Sequence, residues 1–276
     1  MMQISVFYNH IVTASKQTGL PLPEVLGLVR GYGIQAVELD LDEVQPSPEA
    51  MKNLLEQAGI SVASMYAFFD FGNAPDVRPG LTFIDTAAFL GAGKVLVIPG
   101  FIDGPADQEL RERSLRHMAA ALREMSEYAG RKGLVVTLED FDDSRAPFST
   151  SGELLWFLNE VPKLGITFDT GNFIYRGEDA LEAFEKLKSK IVHVHCKDRS
   201  LEEHPGEAPK ISTNGTRLFP SPVGSGCIPI EEILHRLEAI GYKNTAAIEH
   251  FDAADQLAYM KQSAAWLQAR FNQLQT

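Results

Sequence analysis

The chain has 276 residues, of which 45% are hydrophobic and 22% are charged, and its formal net charge is −12. This composition is typical of a globular protein that is large enough to bury a substantial core. The negative charge argues against a nucleic-acid partner, because phosphate binding normally requires a basic surface, and it also disfavours an anionic membrane.

Compartment signals are few. The two cysteines, Cys196 and Cys227, form no CxxC pair and suggest no disulfide framework. The N-terminal stretch lacks the basic and long apolar regions of a signal peptide. No apolar run approaches the roughly 20 residues of a membrane-spanning helix. We therefore expect a protein of the reducing cytoplasm.

Strand-like and helix-like segments alternate along the whole chain. The predicted strands are 4–8, 36–40, 61–68, 94–99, 134–140, 165–170, 191–197 and 245–250. Helical segments between them carry apolar residues at spacings of three and four, as in Met51-Leu54-Leu55-Ala58. Eight βα units in about 270 residues predict an α/β fold, a single-domain (β/α)8 TIM barrel over residues 1–276. The absence of a G-x-G-x-x-G turn after the first strand argues against dinucleotide binding.

One connection is unusually long. Residues 199–228, which follow the seventh strand, are rich in proline and glycine. Loops of this length inside compact domains are usually lids, binding loops or disordered segments. This loop leaves the barrel at the end where active sites form, so we predict a lid-like loop over the pocket.

Four strands in the second half of the chain end on a potential metal ligand: Glu139, Asp169, His195 and Glu249. Because alternate residues of a barrel strand face the lumen, all four side chains are expected to point inward at the same end. Each alone has an ordinary explanation, such as a turn, a helix cap or a core histidine. As a set, buried carboxylates would destabilise the fold without a counter-charge, so the pattern predicts a site for one divalent cation.

The stretches TLED, FDTGN, HVHCKD, PVGSGCIPIEEIL and AAIEHF, with a weaker match in GIQAVEL, resemble the xylose isomerase-like superfamily of TIM barrels. This superfamily includes ketose 3-epimerases, hydroxypyruvate isomerases and inosose dehydratases or isomerases. The resemblance implies that Glu139, Asp169, His195 and Glu249 hold one Mn²⁺, Mg²⁺, Co²⁺ or Zn²⁺ ion. It also implies that Glu139 and Glu249 are catalytic: one removes the proton next to a substrate carbonyl, the other returns it, and the ion stabilises the enediolate.

The match departs from the ketose 3-epimerases at three substrate-contacting positions. Arg145 stands where they have Glu, Asn172 where they have His, and Leu201 where they have Arg. An epimerase of free ketoses of the usual kind is therefore not expected. Arg145 and Lys197 suggest an anionic or strongly polar substrate, although Arg145 is equally well explained by an ion pair with Asp142 or Asp143.

Four residues are predicted to bind substrate: Asn172, Lys197, Arg145 and His193. His193 lies one layer below His195, where it either supports a ligand or fills the core. The backbone N–H groups around Gly224 and Gly226 are a candidate phosphate or hydroxyl site, which a plain turn explains nearly as well.

Several functions remain open. The leading hypothesis is a metal-dependent isomerase or epimerase of a small polyhydroxylated carbonyl compound, such as a sugar, sugar acid, inosose or phosphate. The alternative is a dehydratase of the inosose or dehydroshikimate type, which begins with the same proton abstraction and then expels water. An abasic-site endonuclease needs more histidines at the strand ends, and the ligand set argues against a non-catalytic barrel. The expected partner is a carbohydrate-like small molecule; no interface is identified, so a homo-oligomer stays open.

Overall fold

The computed structural model describes residues 2–104 and 107–274. In these residues the strands are β1 (Gln3–Phe7), β2 (Ala36–Asp40), β3 (Ser61–Phe68), β4 (Lys94–Ile98), β5 (Val135–Glu139), β6 (Gly165–Asp169), β7 (Ile191–Ser200), β8 (Lys210–Ile211), β9 (Arg217–Ser221) and β10 (Thr245–Glu249). All except β8 and β9 pair in parallel, and β10 pairs with both β7 and β1, which closes the sheet. The predicted single-domain TIM barrel is confirmed, and the eight predicted strands differ from the barrel strands only at their ends.

Helices surround the barrel. They are α1 (Tyr8–Thr18), α2 (Leu22–Gly31), α3 (Leu41–Val44), α4 (Pro48–Ala58), α5 (Arg78–Leu90), α6 (Gln108–Arg131), α7 (Ser151–Glu160), α8 (Ala180–Leu187), α9 (Ile230–Ala239) and α10 (Gln256–Gln273), with short 3-10 turns at Phe173–Arg176 and Lys188–Lys190. Local signals fix their ends: Thr150 and Glu153 form a capping box at the start of α7. Within the described ranges, no helix is both long and apolar enough to cross a membrane.

The alternation of side chains inside the barrel carries the site. Thr137 and Thr167 lie two residues before the ends of β5 and β6, and Thr167 Oγ1 donates a hydrogen bond to Thr137 Oγ1 at 2.8 Å. The last residues of β5 and β6, Glu139 and Asp169, lie two positions further on and therefore point into the lumen above this threonine layer. The pairing of β6 with β7 shifts by one residue after Ile166, which gives β7 an extra residue before His193.

The segment 199–228 is partly regular rather than an open loop. β7 continues to Ser200, and β9 pairs with it in antiparallel fashion, with Asp198 opposite Ser221. β8 then pairs with β9. The strand signal is weak here because β8 has only two residues and β9 contains a proline, which is uncommon within strands. A lid function for this hairpin stays a prediction.

Asp198 anchors the end of this segment. Its carboxylate accepts the backbone N–H groups of Gly224 and Gly226 at 2.9 Å and that of Ile228 at 3.1 Å. A Cβ at position 226 would lie 2.3 Å from Asp198 Oδ1, so only glycine fits. The suggested phosphate site at these amides is wrong, because a carboxylate already binds them.

A buried histidine predicts how stability depends on pH. His10 of α1 is fully buried, stacks on His250 at 4.6 Å and accepts the backbone N–H of His250 through Nε2. Burial, reinforced by the neighbouring His250, holds the pKa of His10 well below its ordinary value. The unfolded chain takes up a proton below about pH 6.5 and the folded chain does not, so stability is full above that pH and falls as the pH decreases.

The expected slope for His10 is up to about 1.4 kcal/mol per pH unit below pH 6.5. Urea unfolding between pH 8 and pH 5 measures this slope, and the His10→Gln variant should show a shallower one. His235→Gln is the matched control, because His235 is exposed on α9. An unchanged slope in His10→Gln would contradict the prediction.

Candidate active site

A cavity of about 270 Å³ opens at the C-terminal ends of the barrel strands, which is where TIM-barrel active sites lie. Its apolar side comes from β1, β3 and β4, with Phe7, Tyr66, Phe68, Leu96 and Ile98. Its polar side comes from β5 to β10, with Glu139, Asn172, Lys197, Arg199 and Glu249. Such a lining suits a small ligand whose polar groups must be oriented.

The four predicted ligands converge at the inner end of this cavity, where Glu139 and Glu249 line it and Asp169 and His195 lie next to them. One atom from each of Glu139, Asp169, His195 and Glu249 lies within 4.8 Å of the others, and all four residues are buried. His195 Nδ1 lies 3.1 Å from Glu249 Oε2 and also contacts Glu139 Oε1. The structure therefore brings together the residues that strand alternation placed inward, while their role as metal ligands stays a prediction.

The converging atoms lack hydrogen-bond partners. Glu139 Oε1, Asp169 Oδ2, His195 Nδ1 and Glu249 Oε2 are all buried, and none makes a contact with hydrogen-bond geometry. A buried polar atom without a partner costs about 1–3 kcal/mol, and more when it is charged. Three carboxylate oxygens and one imidazole nitrogen facing one point match the donor preferences of Mg²⁺, Mn²⁺ or Zn²⁺. These residues fit a divalent cation.

The electrostatics of the cluster are asymmetric. Burial raises the pKa of Asp169 well above its ordinary value, and burial also raises the pKa of Glu139 although His195 opposes the shift. Burial acts in the same direction on Glu249, but Lys197 and His195 outweigh it and lower the pKa of this carboxyl. Without a further positive charge, the cluster therefore resists full ionisation.

Lys197 places a buried ammonium group beside these carboxylates. Its Nζ lies 3.3 Å from Asp169 Oδ2, contacts Glu249 Oε1 and donates a hydrogen bond to Asn172 Oδ1 at 2.8 Å. Asn172 Nδ2 donates to the carbonyl of Asp140 at 2.8 Å, which fixes the orientation of the amide. Lys197 and Asn172 both line the cavity, as substrate-binding residues must, and their contact with substrate stays a prediction.

Two buried acids near the cluster were not predicted from the sequence. Asp140 Oδ1 accepts the backbone N–H of Asp169 at 3.2 Å. Glu38 of β2 lies deeper in the barrel, 2.5 Å from His193 Nε2 and 3.2 Å from His195 Nε2. Although burial would raise the pKa of Glu38, the two histidines lower it below its ordinary range. For Glu38 the sequence carries one signal, which is an acidic residue at an inward position of the otherwise apolar run AVEL.

Two predicted substrate-binding residues lie outside the cavity lining. The Arg145 side chain is 51% exposed, and its guanidinium lies 2.7 Å from Asp143 Oδ2 and 3.3 Å from Asp103 Oδ1. His193 is fully buried against Glu38, below the cavity floor. The ion pair with Asp143 is the alternative that the sequence left open for Arg145, and a buried hydrogen bond accounts for the position of His193. Neither position supports contact with substrate, and the substrate-binding role of both residues stays a prediction.

Arg199, and not Arg145, lines the cavity. Its Nη2 donates to Asp142 Oδ2 at 2.6 Å, and its Nε is buried without a hydrogen-bond partner. Lys210 of β8 approaches Asp142 Oδ1 at 3.4 Å from the hairpin. The arginine that faces the cavity thus belongs to β7, and its neighbour Asp142 already neutralises part of its charge.

A pair of arginine variants tests this assignment. Arg199→Gln is expected to lower kcat/KM by at least about 10-fold, because Arg199 lines the cavity and a hydrogen bond from a charged donor contributes about 1.5–3 kcal/mol. It should also lower stability, since Asp142 loses one of its two cationic partners. Arg145→Gln is expected to leave kcat/KM unchanged and stability within about 0.5 kcal/mol, as for other surface positions. Steady-state kinetics on both variants decides, and a larger loss in Arg145→Gln would contradict the structure.

The sequence matches the family model described as Xylose isomerase-like TIM barrel over residues 26–270. Among curated proteins it is similar to the inosose dehydratase of Clostridium perfringens (strain 13 / Type A), with 27% identity over 217 residues and 73% of each chain covered. It is also similar to the inosose dehydratase of Lacticaseibacillus casei, with 22% identity over 218 residues and 73% of each covered.

Solved structures share the fold at low sequence identity. An L-ribulose 3-epimerase matches with a TM-score of 0.74 and 19% identity, covering 100% of this chain and 96% of the other. The probable 3-DHS dehydratase AsbF from Bacillus anthracis matches with a TM-score of 0.72 and 19% identity, covering 97% and 99%. The IOLI protein with a bound zinc atom matches with a TM-score of 0.71 and 17% identity, covering 99% and 98%. The chain belongs to the xylose isomerase-like TIM barrel family.

Proposed function

We propose that the chain is a metal-dependent lyase that removes water from a small polyhydroxylated carbonyl compound of the inosose type. The observation that carries this proposal is the convergence of four buried ligand atoms without hydrogen-bond partners at the floor of a polar-sided cavity. Two curated relatives are inosose dehydratases. They support the dehydratase hypothesis over the isomerase or epimerase that ranked first from the sequence.

Glu139, Asp169, His195 and Glu249 would hold the ion, and their oxygen-rich set favours Mn²⁺ or Mg²⁺, with Co²⁺ and Zn²⁺ as alternatives. When bound, the ion supplies Lewis-acid stabilisation of the negative charge that develops on the substrate carbonyl oxygen. The solved IOLI protein carries zinc, which supports a divalent cation in this fold.

Glu139 is the proposed general base. It lines the cavity, and its Oε1 is buried without a hydrogen-bond partner, so a lone pair faces the site. Burial raises the pKa of its carboxyl above the ordinary value although His195 opposes the shift, and a bound cation would act against that rise. Glu139 takes the proton from the carbon next to the substrate carbonyl. Glu249 is held as an anion by Lys197, so it contributes charge to the site and is the second acid–base group of the isomerase alternative.

Lys197 is the proposed general acid. Its ammonium lies on the polar wall of the cavity beside Asn172, Asp169 and Glu249. Burial opposes the charge on this ammonium, but Asp169 and Glu249 outweigh burial and raise the pKa of Lys197 above its ordinary value. A cation bound by the same carboxylates would offset that rise and leave N–H groups free to donate. Lys197 gives a proton to the hydroxyl group on the β-carbon of the substrate. The C–O bond at this carbon breaks as a C=C bond forms between the α- and β-carbons. The proton on Glu139 then restores Lys197 through solvent, and the products are an unsaturated carbonyl compound and one water.

NMR and mass spectrometry in deuterated buffer test the reaction with a panel of inososes, ketoses and keto acids in the presence of Mn²⁺. A dehydratase yields a product that has lost one water. An isomerase or epimerase, the second candidate because both Glu139 and Glu249 line the cavity, yields a product that has lost no water and carries deuterium from the solvent. Products without loss of water on every substrate that reacts would contradict the lyase proposal.

The role of Lys197 gives a separate prediction. Lys197→Met is expected to lower the rate of water loss by about 100-fold or more, the usual contribution of a general acid. Exchange of the α-proton with deuterated solvent should survive, because Glu139 is intact. Lys186→Met is the control, since Lys186 is an exposed residue of α8 outside the cavity. Loss of exchange and elimination to the same extent would show that Lys197 does not act on the leaving group.

A further inference from the structure

A second buried polar group lies on the far side of His195. Glu38 of β2 accepts a hydrogen bond from Ser5 Oγ at 3.2 Å and faces two imidazoles, with Oε1 2.5 Å from His193 Nε2 and Oε2 3.2 Å from His195 Nε2. All four residues are buried. The carboxylate therefore joins β1, β2 and β7 directly beneath the proposed metal ligands.

Glu38, His193 and His195 also lie close enough together to suggest a second cation site. Their facing atoms, however, already satisfy one another: both Nε2 atoms are within hydrogen-bond distance of the carboxylate. This contrasts with the cluster above, in which every facing atom lacks a hydrogen-bond partner. The lower group is a hydrogen-bonded network and not a ligand set.

The network controls the orientation of His195. Its Nε2 faces Glu38, while its Nδ1 faces Glu139 and Glu249. Phe7 packs edge-on against the imidazole with ring centroids 4.9 Å apart, and His193 does so at 5.3 Å, which restricts rotation of the ring. A neutral imidazole has one proton, so carboxylates on its two sides compete for that proton. Only a proton on Nε2 leaves the Nδ1 lone pair free for a cation.

We propose that Glu38 is a positioning residue that accepts the Nε2–H of His195, keeps its Nδ1 available as a ligand atom and thereby sets the affinity of the metal centre. The inference rests on the proposed metal-dependent function. Partners that hydrogen-bond to a metal-binding histidine change metal affinity by about 10–100-fold in other proteins. Glu38 touches neither the cavity nor the other three ligands, so its effect passes through His195.

The test compares Mn²⁺ and Zn²⁺ binding by titration calorimetry and chelator competition in the wild type, Glu38→Gln and Glu38→Leu. Glu38→Gln keeps the shape but leaves one oxygen for two histidines, and the expected loss of affinity is about 10-fold; Glu38→Leu should lose about 100-fold. Glu38→Gln keeps the test decisive if Glu38→Leu fails to fold. His193→Gln is the control, because it disturbs the same buried network and leaves the Glu38–His195 contact; its affinity should stay close to that of the wild type.

A nitrogen and proton NMR spectrum of the Zn²⁺-loaded protein gives a readout that a merely structural role would not move. In the wild type the Nε2–H of His195 should show the downfield shift of a proton hydrogen-bonded to a carboxylate, and this shift should diminish in Glu38→Gln. Equal metal affinity and equal spectra in the wild type and Glu38→Gln would overturn the role of Glu38 but not the proposed function. A loss of metal affinity in His193→Gln as large as that in Glu38→Gln would do the same. A wild type that binds no divalent cation would overturn the proposed function as well.

Discussion

The Glu139→Gln variant is expected to lose turnover by about 100- to 10,000-fold, the range that a general base contributes. Glutamine preserves the size of the side chain at the cavity floor but cannot take up the α-proton of the substrate. Because elimination and solvent exchange both begin with that step, deuterium exchange should fall in parallel with water loss. This common loss distinguishes Glu139 from Lys197, whose removal should leave exchange intact.

Glu249→Gln is expected to fail for a different reason. Glu249 Oε2 faces His195 Nδ1 at 3.1 Å, and its other oxygen contacts Lys197. The substitution removes a negative ligand and leaves a buried ammonium with less counter-charge, so both metal affinity and turnover should fall. Assays over a range of Mn²⁺ concentrations separate the two variants. Both variants lose a proposed ligand, so both should need more Mn²⁺. At saturating Mn²⁺ the activity of Glu249→Gln should recover in part, whereas Glu139→Gln should stay inactive because its general base is missing.

The control for both variants is Glu207→Gln. Glu207 is a buried carboxylate of the hairpin segment whose Oε1 accepts the backbone N–H of Ala254 at 3.0 Å, and it does not line the cavity. Glutamine can accept the same hydrogen bond, so turnover should match the wild type. Full activity in both Glu139→Gln and Glu249→Gln on an identified substrate would refute the two-carboxylate mechanism.

The ligand cluster was predictable because strand alternation is a local property. Once β5, β6, β7 and β10 are recognised, the parity of each strand fixes which way Glu139, Asp169, His195 and Glu249 point. Closure of the barrel then brings the four strand ends to one cavity without further information. Fold and candidate site therefore follow from periodicity together with the barrel topology.

The contacts that sequence did not predict are those between strands with no local signal. Glu38 meets His193 and His195 across the lumen, and a single acid in an apolar strand does not reveal its partner. Arg145 and Arg199 illustrate the same limit: both follow strands that reach the cavity, but Asp143, two residues before Arg145, holds that guanidinium at the surface. Side-chain pairing depends on local geometry that the strand pattern does not specify.

Removal of the metal is expected to abolish turnover and to lower thermal stability by an amount that depends on pH. A ligand at 100 times its Kd stabilises the folded state by about 2.7 kcal/mol, so Mn²⁺ should raise the Tm by several degrees relative to chelator-treated protein. The pH dependence comes from the acids in the cluster. Burial raises the pKa of Asp169 and of Asp140 well above the ordinary value, and neighbouring carboxylates add to both shifts.

A raised folded-state pKa means that the metal-free protein keeps the full contribution of these groups below their unfolded pKa of about 3.9 and loses it as the pH rises through the folded pKa. Metal binding removes that loss, because the cation favours the ionised carboxylates. The Tm difference between Mn²⁺-saturated and chelator-treated protein should therefore grow from pH 5.5 to pH 8. Destabilisation by His10 in acid is common to both forms and cancels in the difference.

Differential scanning fluorimetry across this pH range provides the measurement, with Asp169→Asn as the comparison. The substitution removes one anionic ligand and one buried acid whose pKa is raised. Without metal at pH 8 the variant should therefore be more stable than the wild type, and Mn²⁺ should stabilise it little. Asp76→Asn is the surface control, since Asp76 pairs only with exposed Arg78 in the contacts described for it. The prediction fails if the Tm difference does not change with pH, or if it is as large in Asp169→Asn as in the wild type. Either result would mean that the cation does not neutralise the buried acids. Proton abstraction by Glu139 would then lack the positive charge that stabilises the substrate oxygen.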